Sequence, residues 1–536
     1  MKRVICTLLS LLCVGAAIAE DVERERPAEW EGLVEGGRFM DRFMPMKGDV
    51  LSSNVWGAEC VKPRLVDNGI EDDLISYWGG NVIYDGERYN LVLCGWFENS
   101  PKGHMNWSNS VIFHTVSERL EGPYETSDMI GFGHNPEVYQ MADGTYGLVA
   151  SIKWQPHLYT MKSMSGPWAL QPFPYDTRDR EVIEGMSNLS LSRRVDGSQL
   201  MVCRGGGIWV SQTGVSDFCQ ITNESVYPKR EGRFEDPVLW RDNVQYHLIV
   251  NDWLGRVAYY MRSKDGVNWV EDTGEGYTPG IAFHEDGRVE DWYKFERIKV
   301  FQDRHGRAIQ ANFAVCDTVK RSDLSRDHHS SKNIMIPLNK GLLMDIESEQ
   351  TTPRMKSIAV RVKAEEGFDP CNDLDIKTLR FGCSSDINYG RGCEVQSSQV
   401  DGADLILTFN TRGYVIPDSE FAPKLMGRFT DGGLAYGYAR NPNVNFEPAI
   451  LSTRKPTMSG STMSVVVENF GLHSSEESTL SVVVDGEQIA QVAVAPIEPY
   501  GSQIIVIEGV SVGEGATCSL KIEGKDVVQL DDVFTL

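Results

Sequence analysis

The chain has 536 residues, of which 41% are hydrophobic, and a formal net charge of −24 at pH 7. This length is too great for one hydrophobic core and predicts two to four domains. The strong negative charge argues against nucleic acid and anionic membranes as partners. No Cys/His spacing is typical of a zinc site, so we expect no metal or cofactor, with a structural divalent cation left open.

The first 19 residues have the composition of a secretory signal. A basic start at residues 1–3 precedes an apolar run over residues 4–18, and Ala19 ends a small-residue cleavage pattern. This predicts a Sec-type signal peptide over 1–19, cleaved after Ala19, and a secreted or periplasmic protein. No other run approaches the roughly 20 apolar residues of a membrane span, so membrane insertion is not expected. Residues 20–54 are charged and aperiodic, and we interpret them as a leader packing on the next domain.

A strand-turn-strand pattern then occurs five times. Its clearest copy opens with Glu235-Asp236-Pro237 and returns as an aromatic-rich run over 246–253. Proline carries no ladder donor and therefore suits the mouth of a strand. The copies are separated by 55, 53, 48 and 61 residues, a period typical of propeller blades. The positions taken as equivalent are Gly80, Asn135, Asn188, Asp236 and Arg297.

Outer hairpins repeat as well. A Gly-Pro-Trp hairpin occurs at 166–168 and an Asp-Gly-x-x-Trp hairpin at 265–269. With these hairpins and the acidic strand openings, residues 50–330 resemble the five-bladed β-propeller glycoside hydrolases, similar to glycoside hydrolase family 43 and the neoagarooligosaccharide hydrolase family. The resemblance implies a propeller, which we place at 55–335, and hydrolysis of O-glycosyl bonds in a carbohydrate substrate.

Beyond residue 340 the β alternation continues without the blade pattern. Short β runs separated by glycine-rich turns over 340–448 predict a β-sandwich. A clear hairpin around Asp485-Gly486 predicts a second sandwich over 449–536, which resembles CARDB-like or fibronectin-like modules. The expected fold class is all-β: a five-bladed β-propeller followed by two β-sandwich (Ig/fibronectin-like) domains.

In a propeller the first strands of all blades start near one axis, so distant residues converge on one pocket. Glycosidic cleavage needs two carboxylates, one protonated and one ionised. We predict Asp236 and Glu296 as this pair. Glu235 is the alternative to Asp236, and we expect it to point away because neighbours on a strand face opposite sides. A propeller histidine has an acid role in the neoagarooligosaccharide hydrolases, which implies such a role for His134.

Other polar and aromatic side chains near the strand mouths are predicted to bind substrate. Amides donate to sugar hydroxyls, a guanidinium suits a sulfate or carboxylate, tryptophans stack on sugar rings, and two further aspartates are reserve carboxylates. The predicted set is Asn135, Asn188, Arg204, Arg297, Trp78, Trp253, Asp252 and Asp291, with Trp154 and Trp292 as further stacking candidates.

The sequence departs from family 43 at the first blade. That family opens this blade with an aspartate acting as general base, whereas this chain has Trp78-Gly79-Gly80, with Asp72 and Asp73 a few residues earlier. Three functions stay open: a glycoside hydrolase, exo-acting on a complex and sulfated marine polysaccharide or its oligosaccharides; a non-catalytic carbohydrate-binding propeller; and a polysaccharide lyase. The oligomeric state is left open.

Nine cysteines follow the signal sequence, an odd number for an oxidising compartment. Spacing allows disulfides between Cys203 and Cys219 and between Cys383 and Cys393. Cys94, Cys203 and Cys316 end equivalent strands, where we interpret them as small buried hydrophobic residues.

Overall fold

The computed structural model describes residues 21–48, 51–52, 64–70, 74–325, 331–348, 351–352 and 355–536. These residues form an all-β protein, as the sequence predicted. The helical segments are single turns or little more: 3₁₀ turns at Ala28–Gly32, Phe39–Arg42 and Gly103–Asn109, and α turns at Pro370–Asp373 and Ser384–Ile387. No helix in the described ranges is both long and apolar enough to cross a membrane. The predicted signal at 1–19 lies outside the described residues.

Strands β1 (Leu51–Ser52) and β2 (Arg64–Leu65) pair with each other, and five sheets follow. The first contains β3 (Ile75–Tyr84), β4 (Tyr89–Phe97), β5 (Val111–Ser117) and β6 (Glu125–Phe132). The second contains β7 (His134–Gln140), β8 (Tyr146–Ile152), β9 (Gln155–Met161) and β10 (Ala169–Pro172). All neighbouring strands in these two sheets are antiparallel.

The third sheet has the order β11-β15-β14-β13-β12, with β11 (Tyr175–Asp176) as a parallel edge strand. Its other strands are β12 (Ser190–Arg193), β13 (Gln199–Val202), β14 (Ile208–Ser211) and β15 (Phe218–Gln220). The fourth contains β16 (Phe234–Arg241), β17 (Tyr246–Asp252), β18 (Val257–Ser263) and β19 (Val270–Tyr277). The fifth contains β20 (Lys294–Gln302), β21 (Ala308–Cys316) and β22 (Ser331–Pro337).

Local turn chemistry explains the first hairpin of the sheets. In the first sheet, Asp85 Oδ1 accepts hydrogen bonds from the backbone N–H groups of Glu87 and Arg88 at 3.0 Å each, and Gly86 has φ 101°. Asp143-Gly144 and Asp196-Gly197 occupy the same place in the second and third sheets. Aspartate bonding its own turn and glycine at positive φ are the expected hairpin chemistry.

The five equivalent positions share one backbone conformation. Gly80, Asn135, Asn188, Asp236 and Arg297 have φ of 85°, 52°, 49°, 55° and 54°. The strand register shifts at this place in the first, second, fourth and fifth sheets, as expected at a β-bulge. A left-handed conformation at a residue other than glycine costs roughly 1–2 kcal/mol, so its repetition shows that the surrounding structure imposes it.

The first strands of the five sheets lie side by side around one axis. Each is linked to the next by a hydrogen bond between a side chain and the backbone, and the fifth sheet is linked back to the first. We call this arrangement the ring. The links are Asn81 Nδ2 to Val138 O (2.8 Å), Leu191 N to Glu137 Oε1 (2.7 Å), Leu239 N to Ser190 Oγ (3.0 Å), Arg297 N to Asp236 Oδ2 (3.2 Å) and Asn333 Nδ2 to Gly79 O (2.8 Å).

The N-terminal segment lies against the ring. Phe39, Phe43 and Met46 are buried in one core cluster with side chains of the fourth and fifth sheets. Trp30 and Leu33 are buried in a second cluster with the third and fourth sheets. The hydrophobic residues of this segment therefore complete two cores of the ring.

The unit that follows is a single seven-stranded sheet of order β23-β24-β27-β26-β25-β28-β29. Its halves enclose one core, to which β24, β25, β27 and β28 all contribute. The strands are β23 (Met344–Ile346), β24 (Ser357–Val362), β25 (Leu374–Gly382), β26 (Cys393–Asp401), β27 (Asp404–Asn410), β28 (Lys424–Phe429) and β29 (Leu434–Tyr438).

The last unit has two four-stranded sheets that share one core. One contains β30 (Leu451–Thr453), β31 (Thr457–Ser459), β32 (Thr462–Asn469) and β35 (Ser502–Glu508). The other contains β33 (Ser478–Val484), β34 (Glu487–Val494), β36 (Thr517–Gly524) and β37 (Asp531–Thr535). The alternating burial of β32 and β33 reflects sheets with one face on the core and one outside.

The disulfides suggested by spacing are not formed, since all eight cysteines within the described residues are free. Cys203 follows β13 and Cys219 lies in β15, with β14 between them. Two strand spacings, about 9–10 Å, exceed the reach of a disulfide. Across β25 and β26, Cys393 lies opposite Phe381 rather than Cys383. This prediction is therefore wrong.

Candidate active site

Three carboxylates meet where the first strands of the fourth and fifth sheets begin. One oxygen each of Glu235, Asp236 and Glu296 lies within 4.8 Å of the others. Because Asp236 is left-handed at a bulge, two consecutive residues turn their carboxylates to the same place. The prediction that Glu235 points away from Asp236 is therefore wrong: a regular strand alternates its side chains, but a bulged one does not.

Asp236 is held by donors on both of its oxygens and is 2% exposed. Asn188 Nδ2 and Arg297 Nη1 each donate to Oδ1 at 2.9 Å, and the backbone N–H of Arg297 donates to Oδ2 at 3.2 Å. Asn135 Nδ2 donates in turn to Asn188 Oδ1 at 2.7 Å. The equivalent residues of four sheets thus form one hydrogen-bonded chain, in which Asp236 is the anchor.

Glu296 has one engaged and one unsatisfied oxygen. Its Oε2 forms an ion pair with Lys320 Nζ. Its Oε1 is buried and accepts no hydrogen bond from any residue that the structure describes. Burial alone would lower the pKa of Lys320, but the carboxylates of Glu296 and Glu235 outweigh burial and raise it. Glu296 therefore faces a charged ammonium on one side and offers a free oxygen on the other.

Glu235 is the most accessible of the three carboxylates, with 15% of its side chain exposed. Its pKa is raised to about 8, first by burial and then by repulsion from Asp236 and Glu296, against the opposing effect of Lys320 and Arg204. A carboxyl group with this pKa is mostly protonated at neutral pH. The site therefore combines a proton donor with an ionised carboxylate less than 5 Å away.

His134 lies beside this cluster as a neutral imidazole. Burial lowers the pKa of His134 well below its usual range, and the positive charges of Arg297 and Lys320 lower it further. Its Nδ1 is 2.9 Å from Ser110 Oγ, whose own hydrogen is donated to the carbonyl of Trp107. Nδ1 therefore carries the proton and donates to Ser110, which leaves Nε2 as an acceptor. A neutral imidazole does not suit the acid role predicted for His134.

Arg297 fills the place opposite the first sheet. A side-chain carbon on Gly79 would lie 3.4 Å from Arg297 Nε, and Gly79 has φ 63°. Arg297 is 1% exposed, and its Nε and Nη2 find no acceptor among the described residues. A contact of 3.4 Å is an ordinary one, so the positive φ rather than lack of space favours glycine at this place. The chain has Trp78-Gly79-Gly80 here and no aspartate. Asp72 and Asp73 lie outside the described residues.

Arg204 and Trp78 border the site but are already engaged. Arg204 Nη2 is 3.3 Å from Glu235 Oε2, and its Nε is 3.5 Å from Glu184 Oε2. Two neighbouring carboxylates do not favour the binding of an anion by Arg204. Trp78 is 2% exposed, packs on Trp96, and has Lys320 Nζ 5.0 Å from its ring centroid. Trp78 therefore supports Lys320 and is not available for stacking on a sugar.

The remaining predicted residues are not part of the carboxylate cluster. Asp252 is fully buried, with Oδ2 2.5 Å from Arg24 Nε and Oδ1 accepting from the backbone N–H of Arg233 at 3.0 Å. Trp253 and Glu296 border the same small recess between the fourth and fifth sheets. Asp291 is exposed. The reserve role predicted for Asp252 does not fit its ion pair with the N-terminal segment.

The three carboxylates have the donor set of a cation site, but each already faces a basic group. Asp236 pairs with Arg297, Glu296 with Lys320, and Glu235 lies beside Arg204. A divalent cation would have to displace Arg297 or Lys320 from buried ion pairs, which is unfavourable. The expectation that no metal or cofactor is bound stays a prediction.

No protein-family model and no curated protein matches this chain. Solved structures do align with it, and glycoside hydrolases are among them. One is Zg3597, a family 117 glycoside hydrolase of the marine bacterium Zobellia galactanivorans, at 11% identity and TM-score 0.37, covering 55% of this chain and 89% of that one.

Two further structures extend the comparison. The family 43 β-1,3-galactosidase BT0265 aligns at 10% identity and TM-score 0.39, covering 83% of this chain and 93% of that one. An endo-1,4-β-xylanase from Bacteroides thetaiotaomicron aligns at 17% identity and TM-score 0.34, covering 48% and 89%. The resemblance to family 43 noted in the sequence is found again among solved structures. At these identities and TM-scores the similarity establishes no shared activity.

Sequence reasoning missed Lys320 as a site residue. Lys320 lies in the connection between β21 and β22, at the start of a stretch of charged and serine residues. Its role depends on the fold bringing that connection over the start of β20. The signal in the sequence was only its place after the last apolar strand residue, Cys316, and no motif distinguishes it from a surface lysine.

Proposed function

We propose that the five sheets are the blades of a five-bladed β-propeller, at 55–335, followed by two β-sandwich domains at 340–448 and 449–536. We propose further that the protein is a secreted glycoside hydrolase that acts on a complex polysaccharide. The observation that carries the proposal is the carboxylate cluster, in which oxygens of Glu235 and of the ion-paired Glu296 lie less than 5 Å apart. Burial and the neighbouring carboxylates raise the pKa of Glu235, which favours its acid form.

The roles follow from protonation and access. The carboxyl group of Glu235 gives its proton to the glycosidic oxygen, which takes the electron pair of the breaking C–O bond and leaves as an alcohol. The Oε1 of Glu296 has no hydrogen-bond partner among the described residues, but Glu296 is only 1% exposed. Its proposed role therefore requires the sugar to bind directly against this oxygen, which then faces the positive charge that develops on the sugar. It either attacks the anomeric carbon or takes a proton from an attacking water. Both routes conserve protons and electron pairs.

Asp236 acts as a positioning residue in this scheme. The sequence left Asp236 and Glu235 as equal alternatives for the partner of Glu296. In the structure both oxygens of Asp236 accept hydrogen bonds, from Asn188 and Arg297. With two hydrogen bonds on Oδ1, one on Oδ2 and 2% exposure, Asp236 is less available to substrate than Glu235, whose side chain is 15% exposed. Its charge raises the pKa of Glu235, which is the property a general acid needs.

The other two functions receive less support. A lyase needs a tyrosine or histidine base with a free arginine for the uronate. Here Arg204 lies beside two carboxylates, and Arg297 pairs with Asp236 and is 1% exposed. His134 keeps Nε2 as an acceptor, so the product formed, and not this histidine, separates a lyase from a hydrolase. A binding module has no need of a carboxyl group that stays protonated at neutral pH. Exo-action, a sulfated marine substrate and export stay predictions from the sequence.

The test is a product screen of the full chain on arabinans, xylans, galactans and sulfated fucans. We expect reducing sugar from at least one polymer, and a loss of about 100- to 10,000-fold in Glu235→Gln and in Glu296→Gln. Glu87→Gln is the matched control because Glu87 is an exposed glutamate in the β3–β4 turn, outside the cluster. Saturable binding without product would indicate a binding module, and an unsaturated product absorbing in the ultraviolet would indicate a lyase.

A further inference from the structure

A tryptophan stands at the tip of a tight hairpin in the second sheet. Strands β8 and β9 are joined by only two residues, Lys153 and Trp154, with φ of 50° and 68°. Two-residue hairpin turns of this conformation prefer Asn-Gly or Asp-Gly, because other residues are strained at positive φ. Trp154 is also 69% exposed. Neither turn chemistry nor burial explains a tryptophan here.

The contacts of Trp154 lead to the carboxylate cluster. Its ring lies 5.0 Å from the ring of Trp107, at 90°. The ring of Trp107 lies 4.9 Å from that of His134. His134 is close enough to Arg297 and Lys320 for their charges to lower its pKa. The exposed indole is therefore two ring contacts away from a residue that borders the cluster.

The other hairpin tryptophans behave differently. Trp168 and Trp269 end the outer hairpins at 166–168 and 265–269 and are partly buried against core clusters. The indole N–H of Trp269 donates to the carbonyl of Gly266 at 3.1 Å. These two tryptophans stabilise their own sheets, whereas Trp154 presents most of its surface to solvent beside the site.

We propose that Trp154, supported edge-on by Trp107, is a stacking subsite for a neutral sugar ring of the polysaccharide, next to the unit that is cleaved. One face of a pyranose or furanose ring carries C–H groups, which pack on the electron-rich face of an indole. The exposed indole supplies that face, and Trp107 fixes its orientation. This inference rests on the proposed function for the identity of its ligand, and it extends the site from one sugar unit to a chain.

Binding can be measured without turnover. The full chain carrying Glu296→Gln would be run in native gels containing arabinan, xylan, galactan or sulfated fucan. We expect at least one polymer to retard it, and Trp154→Ala in the same background to weaken the apparent association constant roughly tenfold. Trp154→Phe, which keeps an aromatic face, should retain most of the retardation. Tyr84→Ala is the matched control, because Tyr84 is a 48% exposed aromatic residue at the far end of β3.

The proposal is overturned if Trp154→Ala is retarded as strongly as its parent, if Tyr84→Ala weakens binding equally, or if none of the four polymers retards the parent. On a polymer that is cut, Trp154→Ala without the Glu296 substitution should raise KM with kcat little changed, because the stacked unit is remote from the breaking bond. Failure of the proposed function would instead appear as turnover surviving in Glu235→Gln and Glu296→Gln. The gel result does not depend on that outcome.

Discussion

Two layers of buried charge surround the axis of the ring, and they differ in one respect. In the inner layer Lys299 Nζ pairs with Glu137 Oε2 and donates to the carbonyl of Pro237 at 3.2 Å. Glu137 Oε1 accepts from Ser190 Oγ at 3.1 Å and from the backbone N–H of Leu191 at 2.7 Å. Both oxygens of Glu137 are thus engaged, and the layer ties the second, third, fourth and fifth sheets together.

The outer layer, two residues earlier on β7 and β20, contains Asn135, Asn188, Asp236 and Arg297. Here Arg297 Nε and Nη2, Asn135 Oδ1 and the nearby Glu296 Oε1 have no partner among the described residues. A buried polar atom without a hydrogen bond costs about 1–3 kcal/mol. Buried charge is common to both layers, so it does not distinguish a functional layer from a structural one. Incomplete hydrogen bonding does distinguish them, and it points to the outer layer as the place for a ligand.

The largest expected effect concerns stability. Lys299→Met leaves the Glu137 carboxylate buried without its cation, and we expect it to lower the free energy of unfolding by about 3–5 kcal/mol, measured by urea denaturation. Glu235→Gln, next to Asp236 of the outer layer, should change that free energy by less than about 1 kcal/mol at pH 7, because the native carboxyl group is already mostly protonated. The double variant Lys299→Met/Glu137→Gln should recover part of the loss. If Lys299→Met and Glu235→Gln lower the free energy of unfolding equally, the two layers do not differ in their contribution to stability.

The second effect is the pH dependence of the reaction. The acid form of Glu235 is lost as pH rises through its pKa of about 8, so we expect kcat/KM to fall about tenfold per pH unit above that value. Arg204 opposes the raised pKa of Glu235. In Arg204→Met the fall of kcat/KM should therefore begin at a higher pH. Arg193→Met, which changes an exposed arginine two residues after Leu191, should leave the pH of this fall unchanged. If kcat/KM falls at the same pH in Arg204→Met as in the wild type, the assignment of Glu235 as the acid is contradicted.

The smallest effect tests a buried ammonium that has no carboxylate hydrogen-bonded to it within the part of the chain that the structure describes. Lys424 Nζ donates to the carbonyl of Gly36 at 2.8 Å and to Asn388 Oδ1 at 2.7 Å. Burial lowers the pKa of Lys424 to about 7, and Arg42 lowers it further. Between pH 7 and about 10.4 the unfolded chain binds this proton and the folded chain does not. The contribution of Lys424 to stability therefore rises with pH across this range.

In Lys424→Met we expect the free energy of unfolding to rise less steeply above pH 7 than in the wild type, measured by urea denaturation from pH 6.5 to 9. Lys229→Met is the control, since 74% of the side chain of Lys229 is exposed. Parallel pH profiles for the wild type and Lys424→Met would show that Lys424 is charged in the folded protein. Lys424 would then resemble Lys299, whose carboxylate partner opposes the lowering of its pKa by burial.

Much of the ring could be predicted because its signals are local. Asp-Gly turns, alternating strands and a period near 50 residues located the five sheets, and aligning the copies selected the five positions that the structure places in one conformation. The same alignment brought Asn135, Asn188, Asp236 and Arg297 together correctly. These features depend on residues close in sequence or on a repeated unit, so they can be predicted from the sequence alone.

The division of roles within the site could not be predicted. Whether Glu235 or Asp236 is accessible depends on the bulge at the start of β16, and the free oxygen of Glu296 depends on where Lys320 arrives from the connection after β21. The sequence spacing of Cys203 and Cys219 allowed a disulfide, but in the structure β14 lies between the strands at which they stand. The bulge and the separation of the two cysteines are set by strand pairing within one sheet, and the position of Lys320 is set by the path of the connection after β21. None of these contacts has a local sequence signal.

The amino-acid sequence by itself determined an all-β chain, its repeated turns and the group of residues that reach the axis. Only the tertiary structure decided which of those residues are saturated with hydrogen bonds and which remain available, because saturation depends on partners from other sheets. Burial by those partners also raises the pKa of Glu235 to about 8, although the residue type alone would give an ionised carboxylate at neutral pH.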